Sequence, residues 1–177
     1  RYLADGGDAS LVERGRRQLE ALDGPLAPAE IRARYAWVDQ MLAGVIDLYE
    51  ATIEPAHLQF AVDLAEAMLS RFYDPENGGF WQSPAEAQHL ILRVKEAYDG
   101  AEPSGNAVAI LALLKLGRIT DRKAFTQAAE QSLRLFANRL QQVPQAVPYL
   151  LQALDFWLEE PRRAVVAGNP RSPEARA

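Results

Sequence analysis

The sequence has no cysteine, two histidines, two methionines and three tryptophans in 177 residues. Without cysteine there is no disulfide, no thiol nucleophile and no thiolate metal site within the chain, and its redox compartment is not legible. His57 stands at an expected helix start with no second ligand beside it, and His89 falls in an expected loop. No metal and no cofactor is therefore expected. No apolar run approaches the roughly 18 residues of a membrane span, and no charged-then-apolar leader opens the chain. Nineteen basic against twenty-four acidic side chains give a net charge of −5. That balance is too mild and too interspersed for a phosphate-binding surface. The expectation is a soluble, cytoplasmic protein with neither a membrane nor a nucleic-acid partner. The first residue is Arg1 rather than Met, which leaves open that the chain is a piece of a longer protein.

What the chain does have is helical periodicity. With 49% hydrophobic residues, 177 residues suffice for one domain with a substantial core. Ser10-Leu11-Val12-Glu13 has the spacing of a capping box and predicts a first helix over 8–22. Ile31, Tyr35, Val38, Leu42, Val45, Tyr49 and Thr52 recur at intervals of three and four and predict a long helix over 29–53. Asp39 falls among its apolar positions, so its carboxylate is expected at or near the buried face, as a hydrogen-bond anchor or as a site group. A one-faced helix over 56–72 follows, packing back as a hairpin. The run from Asp74 to Trp81, with Asn77-Gly78-Gly79 inside it, predicts a chain reversal. Phe80 to Gln82 and Leu90 to Val94 predict a short β-excursion near 79–94.

Polar and backbone-special residues concentrate between Arg93 and Asn106. On one reading they are structural: Ser104 caps the next helix, Pro103 stops what precedes it, and Lys95 pairs with Asp99. On the other, Lys95, Tyr98 and Asp99 converge with the free amides of the Ser104 helix on a polar ligand. The segment 104–117 is apolar nearly all round and ends at Gly117. A helix over 121–140, capped by Thr120 or Asp121, and a last one over 144–160 complete the set. The fold class is all-α. Six helices in three pairs, broadly apolar members alternating with one-faced ones, predict inner and outer layers of stacked helical hairpins in an open solenoid or a closed toroid. They fill residues 1–160, and 161–177 begin strand-like and continue as a flexible tail.

Val38-Asp39-Gln40, Asp47 through Thr52, Asp74 through Trp81, and above all Arg93-x-Lys95 with Tyr98-Asp99-Gly100-Ala101-x-Pro103-Ser104-Gly105-Asn106 support a resemblance. From Trp37 to Gly168 the chain resembles the helical part of thioredoxin-domain-containing proteins of the spermatogenesis-associated-protein-twenty type. That helical domain is similar to six-hairpin glycosidases and N-acylglucosamine epimerases. The resemblance implies an α/α toroid of which this chain holds the last three hairpins. The upstream thioredoxin-like domain is absent here and no redox role carries over. It also implies that Asp39, Asp74, Gly79, Phe80, Lys95, Asp99, Ser104 and Asn106 lie toward a central cavity where related enzymes bind sugars. Ala107 and Val94 depart from the family pattern, which often has Ser and Pro there, and neither histidine matches the epimerases' acid and base.

The function expected is thus a carbohydrate-binding or carbohydrate-processing domain, and any enzyme activity would be epimerase-like or glycoside-hydrolase-like. Asp39 and Asp99 would be the acid and base, oriented by Lys95. Asp74, Gly79, Phe80, Trp81, Arg93, Tyr98, Ser104 and Asn106 would bind a sugar-like small molecule. The alternative is a non-catalytic helical scaffold. An exposed apolar edge would then pair with a second copy, through 29–53 or 144–160, or with a missing N-terminal part of the same protein.

Overall fold

The structure, a computed structural model, describes residues 28–83 and 93–160, with side chains from residue 38 onward. The expected helix over 8–22, His89 and the tail 161–177 lie outside the described residues. Among the described residues there are six α-helices: α1 Pro28–Thr52, α2 Pro55–Phe72, α3 Gly105–Thr120, α4 Lys123–Leu135, α5 Ala137–Gln142 and α6 Pro148–Leu158. A single 3-10 turn, Pro144–Ala146, precedes α6. The all-α expectation holds.

The helices start and stop for local reasons. The chain leaves α1 through Ile53, a β-branched residue held at φ 55°, and Pro55 at once opens α2 with a φ suited to a first turn. His57 Nδ1 lies 2.9 Å from Thr52 Oγ1 across that corner. The Thr52 hydroxyl also donates to the Leu48 carbonyl at 2.8 Å. Ser104 caps α3, its hydroxyl accepting from the Ala107 amide at 3.3 Å, as its sequence position predicted.

Packing is in two layers. Hub of the core is α3: eleven of its sixteen residues are buried, and it packs on α1, α4 and α6. The hairpin expected between the first two described helices is present, with α2 against α1. The broadly apolar helices α1, α3 and α6 thus form an inner layer, while α2 and α4 cover α1 and α3 from outside. Each large apolar side chain so enclosed, among them Phe60, Leu64, Ile110, Leu113 and Phe125, stabilises the fold by about 1.5–3 kcal/mol.

Four expectations need correction. Gly117 does not end α3, which runs on to Thr120 and stops at Asp121 in a left-handed conformation, φ 55°. The glycine instead admits a close approach: a Cβ there would sit 2.5 Å from Thr126 Oγ1 on α4. No side chain caps α4, whose N-cap is Arg122. The helix expected over 121–140 breaks at Phe136, where the ring is buried and the backbone leaves helical values. The last helix begins not at Pro144 but at Pro148, after the 3-10 turn. As for the β-excursion, backbone pairing among the described residues reduces to an antiparallel bridge between Tyr73 and Phe80 and one bond from the Gln82 amide to the Val94 carbonyl.

This layering sets where a site can be. Inner-to-outer links are two residues long, at 53–54 and 121–122, whereas the outer-to-inner links 73–104 and 136–147 are long. The long links meet at the end that carries the N-termini of α3 and α6.

Candidate functional site

Two polar clusters organise the long loop. The first is built on the turn after α2. Asp74 Oδ1 accepts from the amides of Glu76 at 2.9 Å and Asn77 at 3.2 Å, and Oδ2 accepts from Asn77 Nδ2 at 3.2 Å and Lys95 Nζ at 2.7 Å. Burial pushes this carboxyl up, but the donors outweigh it and hold the group well below the usual carboxylate range. Lys95 also donates to the Gly78 carbonyl and lies 4.4 Å from the centre of the Trp81 ring, which Arg93 approaches at 4.7 Å. The structural reading's Lys95–Asp99 pair is replaced by Lys95–Asp74, while Asp99 is bonded to the Ser104 and Tyr149 amides.

Gly78 and Gly79 both sit at φ 77°, and a Cβ on Gly78 would come within 2.8 Å of the Gln131 carbonyl carbon and oxygen. Only glycine meets both demands. The turn is thus pressed onto α4, where Gln131 Nε2 donates to the Glu76 carbonyl at 3.1 Å and Ser132 Oγ accepts from the Gly79 amide at 2.8 Å. Gln131 and Ser132 are site-organising residues that sequence reasoning missed. The signal was present for Ser132, a polar residue within the apolar stripe Phe125, Ala128, Ala129, Leu133.

Asn106, in the first turn of α3, joins the loop's two arms. Its Oδ1 accepts from the Phe80 amide at 2.6 Å, and its Nδ2 donates to the carbonyls of Phe80 at 2.9 Å and Glu96 at 2.8 Å. Phe80 itself is fully buried, its ring 5.3 Å from that of Tyr73, so it presents no face to a solute.

The second cluster is Asp99. One carboxylate oxygen accepts from the Ser104 amide at 2.7 Å and the other from the Tyr149 amide at 2.8 Å, so a single side chain ties the starts of α3 and α6. Both helix dipoles favour its negative charge. Beside it is an open concavity of about 440 Å³ lined by Asp99, Glu102, Pro103, Pro148, Tyr149 and Gln152. Tyr98, the neighbour of Asp99 in sequence, is exposed, and Ser104 is buried.

Asp39 belongs to neither cluster. It is 1% exposed on α1; Oδ1 accepts from the Gln40 amide at 2.8 Å, while the buried Oδ2 has no partner. It shares no hydrogen-bond partner with Asp99. Burial pushes its carboxyl well above the ordinary range, against the pull of the Gln40 amide. The folded protein therefore keeps this proton to higher pH than the unfolded chain does. Its contribution is most favourable below the unfolded value of about 4 and declines as pH rises from there toward the folded value. Asp39→Asn is expected to remove that decline, so that the variant gains on the wild type between pH 4 and pH 7. Urea titrations at pH 4, 5.5 and 7 check this, and a constant difference across the three contradicts it.

Among the described residues no group of three His, Asp or Glu is placed to hold a metal, and no helix is long and apolar enough to cross a membrane. The fold and loop define an all-α protein of layered helical hairpins with a polar loop at the inner-helix N-termini. Within that class, the chain is similar to spermatogenesis-associated protein 20 of Mus musculus and of Homo sapiens, 35% identical to each over 144 residues. It is also similar, at 29% over 171 residues, to an uncharacterized protein of Caenorhabditis elegans. The alignments cover 81% of this chain in the first two cases and 97% in the third. The chain spans about a fifth of the length of these relatives, 18% of the mammalian proteins and 21% of the nematode one. No family model matches.

Proposed function

We propose that this chain is part of an α/α toroid that binds a sugar-like polyol at the end where α3 and α6 begin, in the cytoplasm, and that it is a binding rather than a proton-transferring element. The observation that carries the reading is the concavity beside Asp99. Its volume suits a small ligand, and carboxylate, amide and phenol groups with two prolines make a mixed polar and apolar lining. Acid–base chemistry by Asp39, Asp99 and Lys95 has less support. Asp99 spends both oxygens on backbone amides, Lys95 is paired with Asp74, and Asp39 is enclosed on α1.

The same full use of the polar groups supports a second reading, a scaffold in which the loop only ties helices together. Gln152 separates the two, because it lines the concavity and is exposed. A thermal-shift screen against hexoses, hexose phosphates and sugar alcohols should give a shift that Gln152→Ala reduces at least about threefold in affinity, near 0.7 kcal/mol. No shift with any of them favours the scaffold.

A further inference from the structure

The concavity at the starts of α3 and α6 carries charge of one sign. Asp99 and Glu102 line it together with Tyr149 and Gln152, and among the described residues no lysine, arginine or histidine does. The two acids differ in what surrounds them. Asp99 accepts from the Ser104 and Tyr149 amides, and its charge is offset by two helix N-termini, each equivalent to about half a positive charge. Glu102 is exposed, and no described residue gives its carboxylate a hydrogen bond or an ion pair. The loop that carries it is nonetheless held. The Asp99 amide donates to the Ala146 carbonyl at 2.9 Å, the Gly100 amide donates to the Glu102 carbonyl at 3.1 Å, and Pro103 restricts the next φ. The concavity is thus left with about one unbalanced negative charge, and Glu102 bears it.

We propose that Glu102 sets the charge selectivity of this concavity, accepting hydrogen bonds from a hydroxyl- or ammonium-bearing polyol and excluding a phosphorylated one. The inference rests on the reading of the concavity as a polyol site and deepens it by naming the charge of the ligand. A carboxylate is an acceptor only, so hydroxyl and ammonium groups complement it and phosphate oxygens do not. A phosphate ester brings nearly two negative charges at neutral pH. Across a space of this size its repulsion from one carboxylate lowers affinity at least about fivefold at low salt. An ammonium group paired with the same carboxylate at a wet rim gains about threefold.

Titration of the 177-residue chain with sorbitol, its amine glucamine and sorbitol phosphate compares one skeleton in three charge states, read at neutral pH and low salt from the amide resonances of residues 99–103 and 148–152. Glucamine is expected to bind about threefold more tightly than sorbitol, and sorbitol phosphate at least about fivefold more weakly. In Glu102→Gln, an exposed change that leaves the fold intact, the three affinities should come within about twofold of one another. Sorbitol phosphate binding the wild type as tightly as sorbitol overturns the proposal. So does a spread that persists in Glu102→Gln, since shape or another charge would then set the order. If none of the three moves these resonances, the polyol reading itself fails, and the selectivity with it.

Discussion

Asn106→Ala is expected to destabilise the fold by about 3–5 kcal/mol, lowering the melting temperature by about 10–15 °C. The side chain is 1% exposed and satisfies three backbone groups, the Phe80 amide and the carbonyls of Phe80 and Glu96. Truncation leaves all three without a partner in a dry place, at roughly 1–1.5 kcal/mol each after some relaxation. Asn106→Asp is the sharper control. It keeps an acceptor for the Phe80 amide but sets a second oxygen against two carbonyls, so it should be at least as damaging as alanine. Urea denaturation of both variants gives the answer, and a loss under about 1 kcal/mol for alanine would mean that the two arms of the loop are held by something else. Much of the loop should loosen with this residue, because Phe80 follows the glycine turn and Glu96 follows Lys95. The Asp74–Lys95 pair spans the same two arms, and its loss in a loosened loop would add to the effect.

The sequence disclosed the helices far better than the contacts between them. Residues at three- and four-residue spacing placed α1, α2 and α3 to within three residues at every end, since the stripes of those helices face broad buried surfaces. The break at Phe136 carries no glycine or proline and had no local signal; it is imposed by the burial of the ring after α4. Asp39 was legible as a buried acid from its apolar neighbours on the helix. Ser104 was legible as a cap because a cap is a local device. The structural reading pairs Lys95 with Asp99 rather than Asp74 because the choice between the two depends on where a turn about twenty residues upstream comes to rest. That position is fixed by the contact of Gly78 with Gln131, which no local pattern encodes. The loop therefore reads in the sequence as a concentration of polar residues, and only the fold divides it into two clusters with different work.

Asp99 is where the structural and functional readings separate, and Asp99→Ala is expected to cost about 2–4 kcal/mol. Two amides lose a charged acceptor, at 2.7 and 2.8 Å, and each such bond contributes about 1.5–3 kcal/mol, of which water at this half-buried site recovers part. The loss should be concentrated at the N-termini of α3 and α6, where the carboxylate also offsets two helix dipoles. Asp99→Asn keeps one acceptor oxygen and turns an amide group toward the other N–H, so about half of the alanine loss is expected. If Asp99 served a ligand alone, asparagine would abolish binding and leave the denaturation midpoint where it was. If it is the tie described here, stability falls in the order wild type, asparagine, alanine, and polyol affinity falls only in proportion to the disorder at the concavity. Denaturation midpoints and ligand titrations on the same three proteins decide between them, with Gln152→Ala as the reference for a change in the concavity that leaves the tie intact.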